Sequence, residues 1–278
     1  PTIHGEKVVI RLLNQDDELL NIEKLGFSDH NLKRFKRLIN QPNGIVLLTG
    51  PTGSGKTTTL FAALNRLNTV QENIVTIEDP VEYQIEGINQ IQAREKIGLT
   101  FSKTLRSILR QDPDIIMIGE IRDQETAEIA VRAAVTGHLV LSTIHTVDSI
   151  SAVSRLINMG IPPYLISSTL NAVVAQRLLR KLCPNCKKRL KLKEKDKIIL
   201  EEEEIDFIYQ AEGCSSCDNG YLGRTAAAEV LLINSQLRQL INQKADYSLL
   251  KKEALASGML TLANSALKKM KGGFTSRE

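Results

Sequence analysis

Short apolar segments alternate with amphipathic ones over the middle of the chain, and this alternation restricts the fold more than any other feature. The apolar segments are Ile45–Thr49, Asn73–Asp79, Asp114–Gly119 and His138–His145. The segments with helical periodicity are Lys56–Leu67, Phe101–Arg110, Asp123–Val135 and Ser149–Met159. Strands that are apolar on both faces and alternate with helices predict an α/β fold whose mainly parallel sheet is covered on both sides. Ligands of such a sheet bind at the carboxyl ends of its strands.

A glycine-rich segment, GPTGSGKTT, follows the first predicted strand and opens the first of these helices. It fits the phosphate-loop pattern, in which backbone N–H groups and a helix N-terminus face a phosphate. A turn before a helix is the simpler reading, but the full motif stands in the right context. We therefore predict a RecA-like P-loop NTPase core that binds ATP with Mg²⁺, with Lys56 at the β- and γ-phosphates and Thr57 at the metal. The predicted nucleotide-binding residues of this loop are Gly50, Pro51, Thr52, Gly53, Ser54, Gly55, Lys56, Thr57 and Thr58.

In many nucleotide hydrolases a buried strand of the sheet ends in Asp-Glu, and this Asp holds magnesium in its outer shell. Here the third predicted strand, Asp114–Gly119, is followed by Glu120 and so ends in Gly119-Glu120. Another strand ends TIEDPVE and supplies Glu78, Asp79 and Glu82. If this strand and the strand before the phosphate loop are neighbours, the acidic group lies beside the loop and can replace the missing Asp. A solvated turn is the alternative for the group taken alone. We predict Glu78 and Asp79 at the cofactor, Glu82 as catalytic, and Glu120 as the residue that orients or deprotonates the attacking water.

His145 closes the fourth predicted strand at the same edge of the sheet. It could hydrogen-bond a γ-phosphate, although a histidine at the end of a strand is more often a packing residue. His138 begins that strand at the opposite end, so we expect a structural role for it.

All four cysteines occur in two C-x-x-C pairs, Cys183/Cys186 and Cys214/Cys217. Four thiolates close the tetrahedral shell of zinc, so the predicted Zn²⁺ site is structural. A redox pair or a disulfide staple is the alternative. Four basic side chains would offset the negative charge of a four-thiolate site: Lys181, Lys187, Lys188 and Arg189.

Outside the strand–helix core, Glu6–Leu13 has the pattern of a strand, and Ser28 should cap a following helix. Helical patterns also run from Pro163 to about Leu182 and from about Leu231 to Lys271. We divide the chain into a remnant of an N-terminal domain with a linker helix (1–42), the RecA-like ATPase core (43–180), a zinc-binding element (181–222) and a helical C-terminal region (223–278). Because the chain starts without Met on a strand-like segment, we expect an upstream domain in the full protein.

Four motifs, GPTGSGKTTTL, TIEDPVE, LRSILRQDPDIIMIGEIRD and TGHLVLSTIHT, occur in the order typical of the secretion ATPase superfamily. The chain most resembles the type II secretion and type IV pilus assembly ATPases. The resemblance implies a hexameric motor at the cytoplasmic face of the inner membrane, peripherally attached through its partners. ATP hydrolysis would move an inner-membrane platform protein and, indirectly, add pilin or pseudopilin subunits to a filament. It also implies that Arg11, Arg106 and Arg110 reach phosphates and that the four cysteines hold zinc.

Two other functions fit parts of the sequence. A nucleic-acid translocase would combine the RecA-like core with the basic run Arg180–Lys197. Acidic residues follow that run, and aromatic residues make up only 4% of the chain, so stacking platforms for bases are few and no direct nucleic-acid contact is expected. A slowly hydrolysing nucleotide sensor is the other alternative. The formal net charge of +4 does not decide between the motor, the translocase and the sensor. No apolar run approaches the ~20 residues needed to cross a bilayer.

Overall fold

A computed structural model describes residues 3–8, 20–192 and 207–277 of the chain. The predicted strand Glu6–Leu13 extends into residues 9–19, which lie outside this range, as does Arg11. The strands are β1 (Gly44–Thr49), β2 (Ile74–Glu78), β3 (Asn89–Gln92), β4 (Ile115–Ile118), β5 (Leu139–Ile144), β6 (Leu170–Leu182), β7 (Lys188–Lys191), β8 (Phe207–Gln210) and β9 (Tyr221–Leu232). The helices are α1 (Asp29–Ile39), α2 (Lys56–Leu67), α3 (Phe101–Ile108), α4 (Gln124–Val135), α5 (Ser149–Asn158), α6 (Pro163–Thr169), α7 (Ser235–Asn242), α8 (Tyr247–Ala256) and α9 (Leu262–Lys271).

The main sheet confirms the predicted α/β fold. Its seven strands have the order β3-β2-β4-β5-β1-β6-β9. All neighbours pair in parallel except β6 and β9, which pair antiparallel. Alternate residues of β1 enter two different cores, with Ile45 and Leu47 on one face and Val46 and Leu48 on the other. Burial on both faces is the reason that these strands read as continuous apolar runs.

The four predicted strand–helix units are present with small shifts at their ends. Helix α2 has its predicted bounds, Lys56–Leu67. Helix α1 begins after Ser28, whose hydroxyl accepts a hydrogen bond from the backbone N–H of Asn31 at 3.3 Å, which confirms the predicted cap. Each of these helices packs its apolar face on the sheet, which leaves the strand ends free to form a site.

One predicted helix is wrong. The pattern from Pro163 to Leu182 is helical only as far as Thr169, and β6 follows as a strand of 13 residues. Ala172, Val173 and Val174 of this strand are buried, because β6 lies between β1 and β9. A continuous apolar run fits a buried strand and a buried helix equally well by periodicity.

Strand β9 was not predicted and is the antiparallel partner of β6. The three C-terminal helices, α7, α8 and α9, confirm the helical prediction from Ser235 onward. Strands β7 and β8 pair antiparallel in a separate sheet of two strands. The predicted boundaries after residues 180 and 222 fall inside these two long strands, so the division into domains stays a prediction. Within the described range, no helix is both long and apolar enough to cross a membrane.

Candidate nucleotide site and cysteine cluster

The phosphate loop connects β1 to α2 and lies against β6. Gly50 and Gly55 both have positive φ angles, 144° and 86°. A Cβ atom at Gly50 would come within 2.5 Å of the Gln176 carbonyl oxygen, and one at Gly55 within 2.8 Å of the Gln176 side-chain nitrogen. Both positions therefore require glycine, because the strand behind the loop leaves no room for a side chain.

Gln176 is buried and supports the loop from β6. Its side-chain oxygen accepts a hydrogen bond from the Thr59 hydroxyl on α2 at 2.8 Å. The Ser54 hydroxyl within the loop is also buried, and it has no hydrogen-bond partner among the described residues. A narrow backbone cradle with an unpaired buried hydroxyl fits the oxygen-rich phosphate groups of a nucleotide.

Lys56 is buried at the start of α2. Its ammonium group donates to the carbonyl oxygens of Gly50 at 2.9 Å and Pro51 at 3.1 Å. Desolvation lowers the pKa of Lys56, the charge of Glu120 opposes that shift, and Arg177 adds to it. The ammonium group is thus held over the loop with a carboxylate nearby, where it can contact phosphate oxygens.

A cavity of about 790 Å³ extends from the loop across the carboxyl ends of the parallel strands. Its lining brings together most of the predicted site: Thr52, Gly53, Ser54, Gly55, Lys56, Thr57, Thr58, Glu78, Asp79, Glu82, Glu120 and His145. Gly50 and Pro51 lie at the base of the loop, where their carbonyls accept from Lys56. Sequence reasoning missed several lining residues, among them Arg122 after β4, Leu178 on β6 and Arg224 on β9.

The acidic residues Glu78, Asp79 and Glu82, at the end of β2 and directly after it, reach this cavity by an arrangement different from the expected one. Strands β4 and β5 separate β2 from β1, so the assumption that the strands are neighbours is wrong. The group still faces the loop, because the carboxyl ends of all four strands lie at one edge of the sheet. The cavity, rather than strand pairing, brings the acids and the loop together.

The three acids of this group differ in exposure. Glu78 is buried, and its carboxylate accepts hydrogen bonds from Thr76 at 2.6 Å and Gln90 at 3.0 Å. Burial raises the pKa of Glu78, and the charge of Glu82 adds to the shift, although the two hydrogen bonds oppose it. Asp79 is exposed and Glu82 is half-buried, so these two are more accessible to a metal ion entering with a nucleotide.

Gly119 has a structural reason to be glycine. Its N–H donates to the Ile77 carbonyl at 2.8 Å, and its own carbonyl accepts from the Thr143 hydroxyl at 2.8 Å. A Cβ atom would lie 3.3 Å from the Ile77 carbonyl oxygen and 3.4 Å from the Glu78 Cα. An aspartate here would press on β2, and in this chain the next residue carries the carboxylate.

Glu120 occupies the position that follows. One oxygen of its carboxylate accepts a hydrogen bond from the Arg122 guanidinium, and the other lies 3.4 Å from His145 Nε2. His138 makes a hydrogen bond to the Ala133 carbonyl at 2.8 Å at the opposite end of β5. The two histidines thus lie at the two ends of the strand, as expected from the sequence.

Arg106 and Arg110 lie in a different groove, between α3 and α4, with a volume of about 460 Å³. Arg106 forms an ion pair with Glu125 at 2.7 Å. Their predicted contact with phosphates stays a prediction. So does the role of Arg11, which lies outside the described residues.

The four cysteines converge at the end of the β6–β9 ribbon. Their sulfur atoms all lie within 4.8 Å of one another. The distance is 3.9 Å between Cys183 and Cys214, 3.7 Å between Cys186 and Cys217, and 3.5 Å between Cys214 and Cys217. Zinc–sulfur bonds of about 2.3 Å in a tetrahedron give sulfur–sulfur distances of about 3.8 Å. The cluster is therefore compatible with a four-thiolate zinc site.

The basic side chains near this cluster are largely used in local packing. Lys187 donates to the Gly273 carbonyl at 2.8 Å, and Lys188 pairs with Glu212. The Arg189 guanidinium lies 3.7 Å from the centre of the Phe207 ring. These contacts give three basic side chains of the run Arg180–Lys197 partners within the protein.

The fold and the cavity define a P-loop nucleotide-binding protein with a RecA-like α/β core. The sequence matches the Type II/IV secretion system protein family over residues 1–278, and the chain belongs to this family. It is 52% identical over 284 residues to the type IV pilus assembly ATPase PilB of Myxococcus xanthus, covering all of this chain and 50% of that protein. It is 47% identical over 281 residues to the type II secretion system ATPase E of Vibrio cholerae, covering all of this chain and 56% of that protein.

Solved structures agree on the fold. The crystal structure of the pilus retraction motor PilT with bound ADP superposes with a TM-score of 0.69 at 30% identity, covering 92% of this chain and 64% of PilT. The Legionella pneumophila ATPase DotB gives 0.68 at 22% identity, with 92% of this chain and 63% of DotB covered. The chain thus spans about half the length of the two curated relatives.

Proposed function

We propose that this protein is an ATPase that couples ATP hydrolysis to mechanical work in type IV pilus assembly or type II protein secretion. The observation that carries the proposal is one cavity that joins a phosphate loop with Lys56 to a separate carboxylate, Glu120. The relatives named above, PilB and ATPase E, support the coupling to a pilus or a secretion system.

The residues divide the reaction between them. The loop and Lys56 bind the phosphates, and Thr57 with Asp79 and Glu82 would hold Mg²⁺, which neutralises charge on the β- and γ-phosphates when bound. Glu120 orients a water molecule and takes a proton from it as the water oxygen bonds to the γ-phosphorus. The bond between that phosphorus and the β–γ bridging oxygen breaks, giving ADP and inorganic phosphate. His145 can hydrogen-bond the γ-phosphate and respond to its loss.

Replacing Glu120 tests this assignment most directly. Glu120→Gln keeps the shape of the side chain but cannot accept the proton. We expect turnover in the intact oligomer to fall by at least about 100-fold, the lower range for general-base catalysis, while ATP binding is retained. Phosphate release and equilibrium binding of ATP measure the two quantities. Hydrolysis at the parent rate would remove Glu120 from the mechanism.

The proposed assembly and its partners rest on the family resemblance and not on this chain's own contacts. We propose a homo-hexamer at the cytoplasmic face of the inner membrane, attached peripherally through a platform protein and acting indirectly on pilin or pseudopilin subunits. Arg106, Arg110 and Arg11 would act at phosphates in that assembly. The cytoplasmic segment of a platform protein should stimulate ATP hydrolysis by the full-length protein, whereas stimulation by DNA alone would favour a nucleic-acid translocase.

A further inference from the structure

Arg122 stands out among the cavity residues because sequence reasoning gave it no role. Its guanidinium donates a hydrogen bond to one carboxylate oxygen of Glu120. The Arg122 side chain is 58% exposed, whereas that of Glu120 is 15% exposed. A guanidinium as exposed as that of Arg122 adds little to folding stability through one ion pair, because exposed charges are screened by solvent. The contact is therefore better explained by what it does to Glu120.

The backbone fixes the relation between the two side chains. Ile121 lies between them, is buried, and its N–H donates to the Thr143 carbonyl at 2.9 Å. This hydrogen bond ties the segment after β4 to β5. Glu120 and Arg122 therefore both line the cavity while the residue between them is anchored in the core.

The carboxylate of Glu120 is held from two sides. Arg122 contacts one oxygen, and His145 Nε2 lies 3.4 Å from the other. Glu120 also raises the pKa of Arg122, chiefly through this hydrogen bond, and the charges of Asp79 and Glu95 add to the effect. The guanidinium is thus a permanent cation at the meeting point of Glu120 and the acidic residues after β2.

We propose that Arg122 is a positioning residue for Glu120. It fixes one carboxylate oxygen so that the other stays directed at the attacking water. This inference rests on the proposed ATPase function and adds a residue to it. In this proposal Arg122 acts through Glu120 and not through the nucleotide or the water. Its loss should therefore impair the chemical step and leave nucleotide binding intact, because only the orientation of the base is affected.

Steady-state ATPase kinetics of Arg122→Ala in the full-length oligomer test the proposal. We expect kcat to fall by about 10-fold or more, with KM for ATP within about 3-fold of the parent. Arg122→Lys keeps the charge but loses the planar donor geometry and should recover part of the activity. Added guanidinium ion should raise kcat of Arg122→Ala, since it can refill the vacated position beside Glu120.

Arg66→Ala is the matched control. Arg66 forms a surface ion pair with Glu23 at 3.9 Å and is 43% exposed, but it lies at the far end of α2 from the phosphate loop. Its removal should leave both kinetic constants unchanged. Equal thermal melting of the parent and the Arg122 variants excludes misfolding as a cause, and Arg122→Gln serves as a second variant if Arg122→Ala melts early.

Four outcomes separate the ideas. Unchanged kcat in Arg122→Ala and Arg122→Gln overturns the positioning role alone. A KM for ATP that rises together with the loss of kcat, without guanidinium rescue, also overturns it, because Arg122 would then contact the nucleotide directly. A parent protein without ATPase activity instead defeats the proposed function. A fully active Glu120→Gln variant removes Glu120 from the mechanism and the positioning role of Arg122 with it, and both results are recognised before the Arg122 variants are compared.

Discussion

The nucleotide cavity and the cysteine cluster are built in opposite ways. The cavity collects residues from the ends of four parallel strands and from the β6–β9 ribbon, all supported by two large hydrophobic cores. The cysteine cluster uses two local turns, and the small sheet beside it buries only Leu192, Ile208 and Met270 among the described residues. A packed sheet can hold a site by itself, whereas a region with so small a core depends on cross-links or a metal.

The two regions are nevertheless joined by the same strands. Leu178 and Arg224 line the cavity, and further along the same ribbon Leu182 leads directly into Cys183. Substitutions in each region therefore test whether the two depend on each other. Changes in the cavity should leave the cysteine element intact, and changes at the cysteines should loosen their own element first.

Removal of the phosphate-loop lysine should have the largest effect. We expect Lys56→Ala to lose affinity for ATP and to lower kcat/KM by about 100-fold or more, because a preorganised charge at the phosphates is lost. The cysteine element should keep its metal. Nucleotide titration measures the affinity for ATP, and elemental analysis measures the metal bound by the cysteine element. An unchanged affinity for ATP would contradict the placement of Lys56.

Loss of two cysteines should rank second. Cys183→Ser combined with Cys186→Ser should release zinc and make the segment between Arg180 and Gly223 sensitive to protease, because metal binding and folding are linked there. ATP binding should persist, since the loop is backed by residues of β6 that lie deep in the main sheet. Elemental analysis, limited proteolysis and ATP titration check this. Native protein without metal would end the zinc assignment, and lost ATP binding would show that the ribbon couples the two sites.

A smaller effect is expected at the strand end where the usual acid is missing. Gly119→Ala introduces a Cβ atom 3.3 Å from the Ile77 carbonyl oxygen. We expect a loss of about 1–3 kcal/mol in the free energy of unfolding, as for other overpacked sites, measured by denaturant titration. Gly137→Ala is a control for the loss of a glycine in open space, since a Cβ there meets nothing within 4 Å, although its positive φ adds strain of its own. Unchanged stability in Gly119→Ala would show that β2 and β4 tolerate a side chain at this position.

The smallest predicted effect concerns Glu78. Burial of its side chain raises the pKa of Glu78 above the ordinary value of 4.5. The folded state then holds this proton more tightly than the unfolded state, so the stability from Glu78 is full below pH 4.5 and is lost as pH rises through the raised pKa. Glu78→Gln removes this loss and keeps an oxygen for Thr76 and Gln90. At neutral pH the variant should gain less than about 2 kcal/mol, with little change at pH 4, as measured by thermal melting without nucleotide. A variant that is destabilised at neutral pH would show that the carboxylate is favourable in the fold.

Sequence reasoning was accurate where a local pattern carries the physics. The phosphate loop, the Ser28 cap and the four strand–helix units depend on nearby residues, and all were predicted with nearly correct bounds. The pairing of the C-x-x-C segments was likewise visible, and the structure brings the four sulfur atoms together. The roles assigned to the individual cavity residues remain predictions.

Sequence reasoning failed where the tertiary environment decides whether a segment forms a helix or a strand. The run from Leu170 to Leu182 is apolar enough for a helix, and only its place between β1 and β9 makes it a strand. That error hid Gln176, which backs the phosphate loop. Arg122 was missed although its position two residues after Glu120 was a usable signal.

The sequence by itself determined the kinds of chemistry available to this protein: a phosphate-binding loop, a set of strand-end acids and four thiolates. These follow from residue types at fixed spacing, which local backbone geometry turns into recognisable motifs. Only the tertiary structure decided which groups meet. The order of the strands brings the acids of β2 to the loop across two intervening strands. It also puts His145 at one oxygen of Glu120, while Arg122, two residues along the chain, contacts the other. Strand order is set by burial of the whole sheet between two hydrophobic cores, a property that no single segment of the sequence contains.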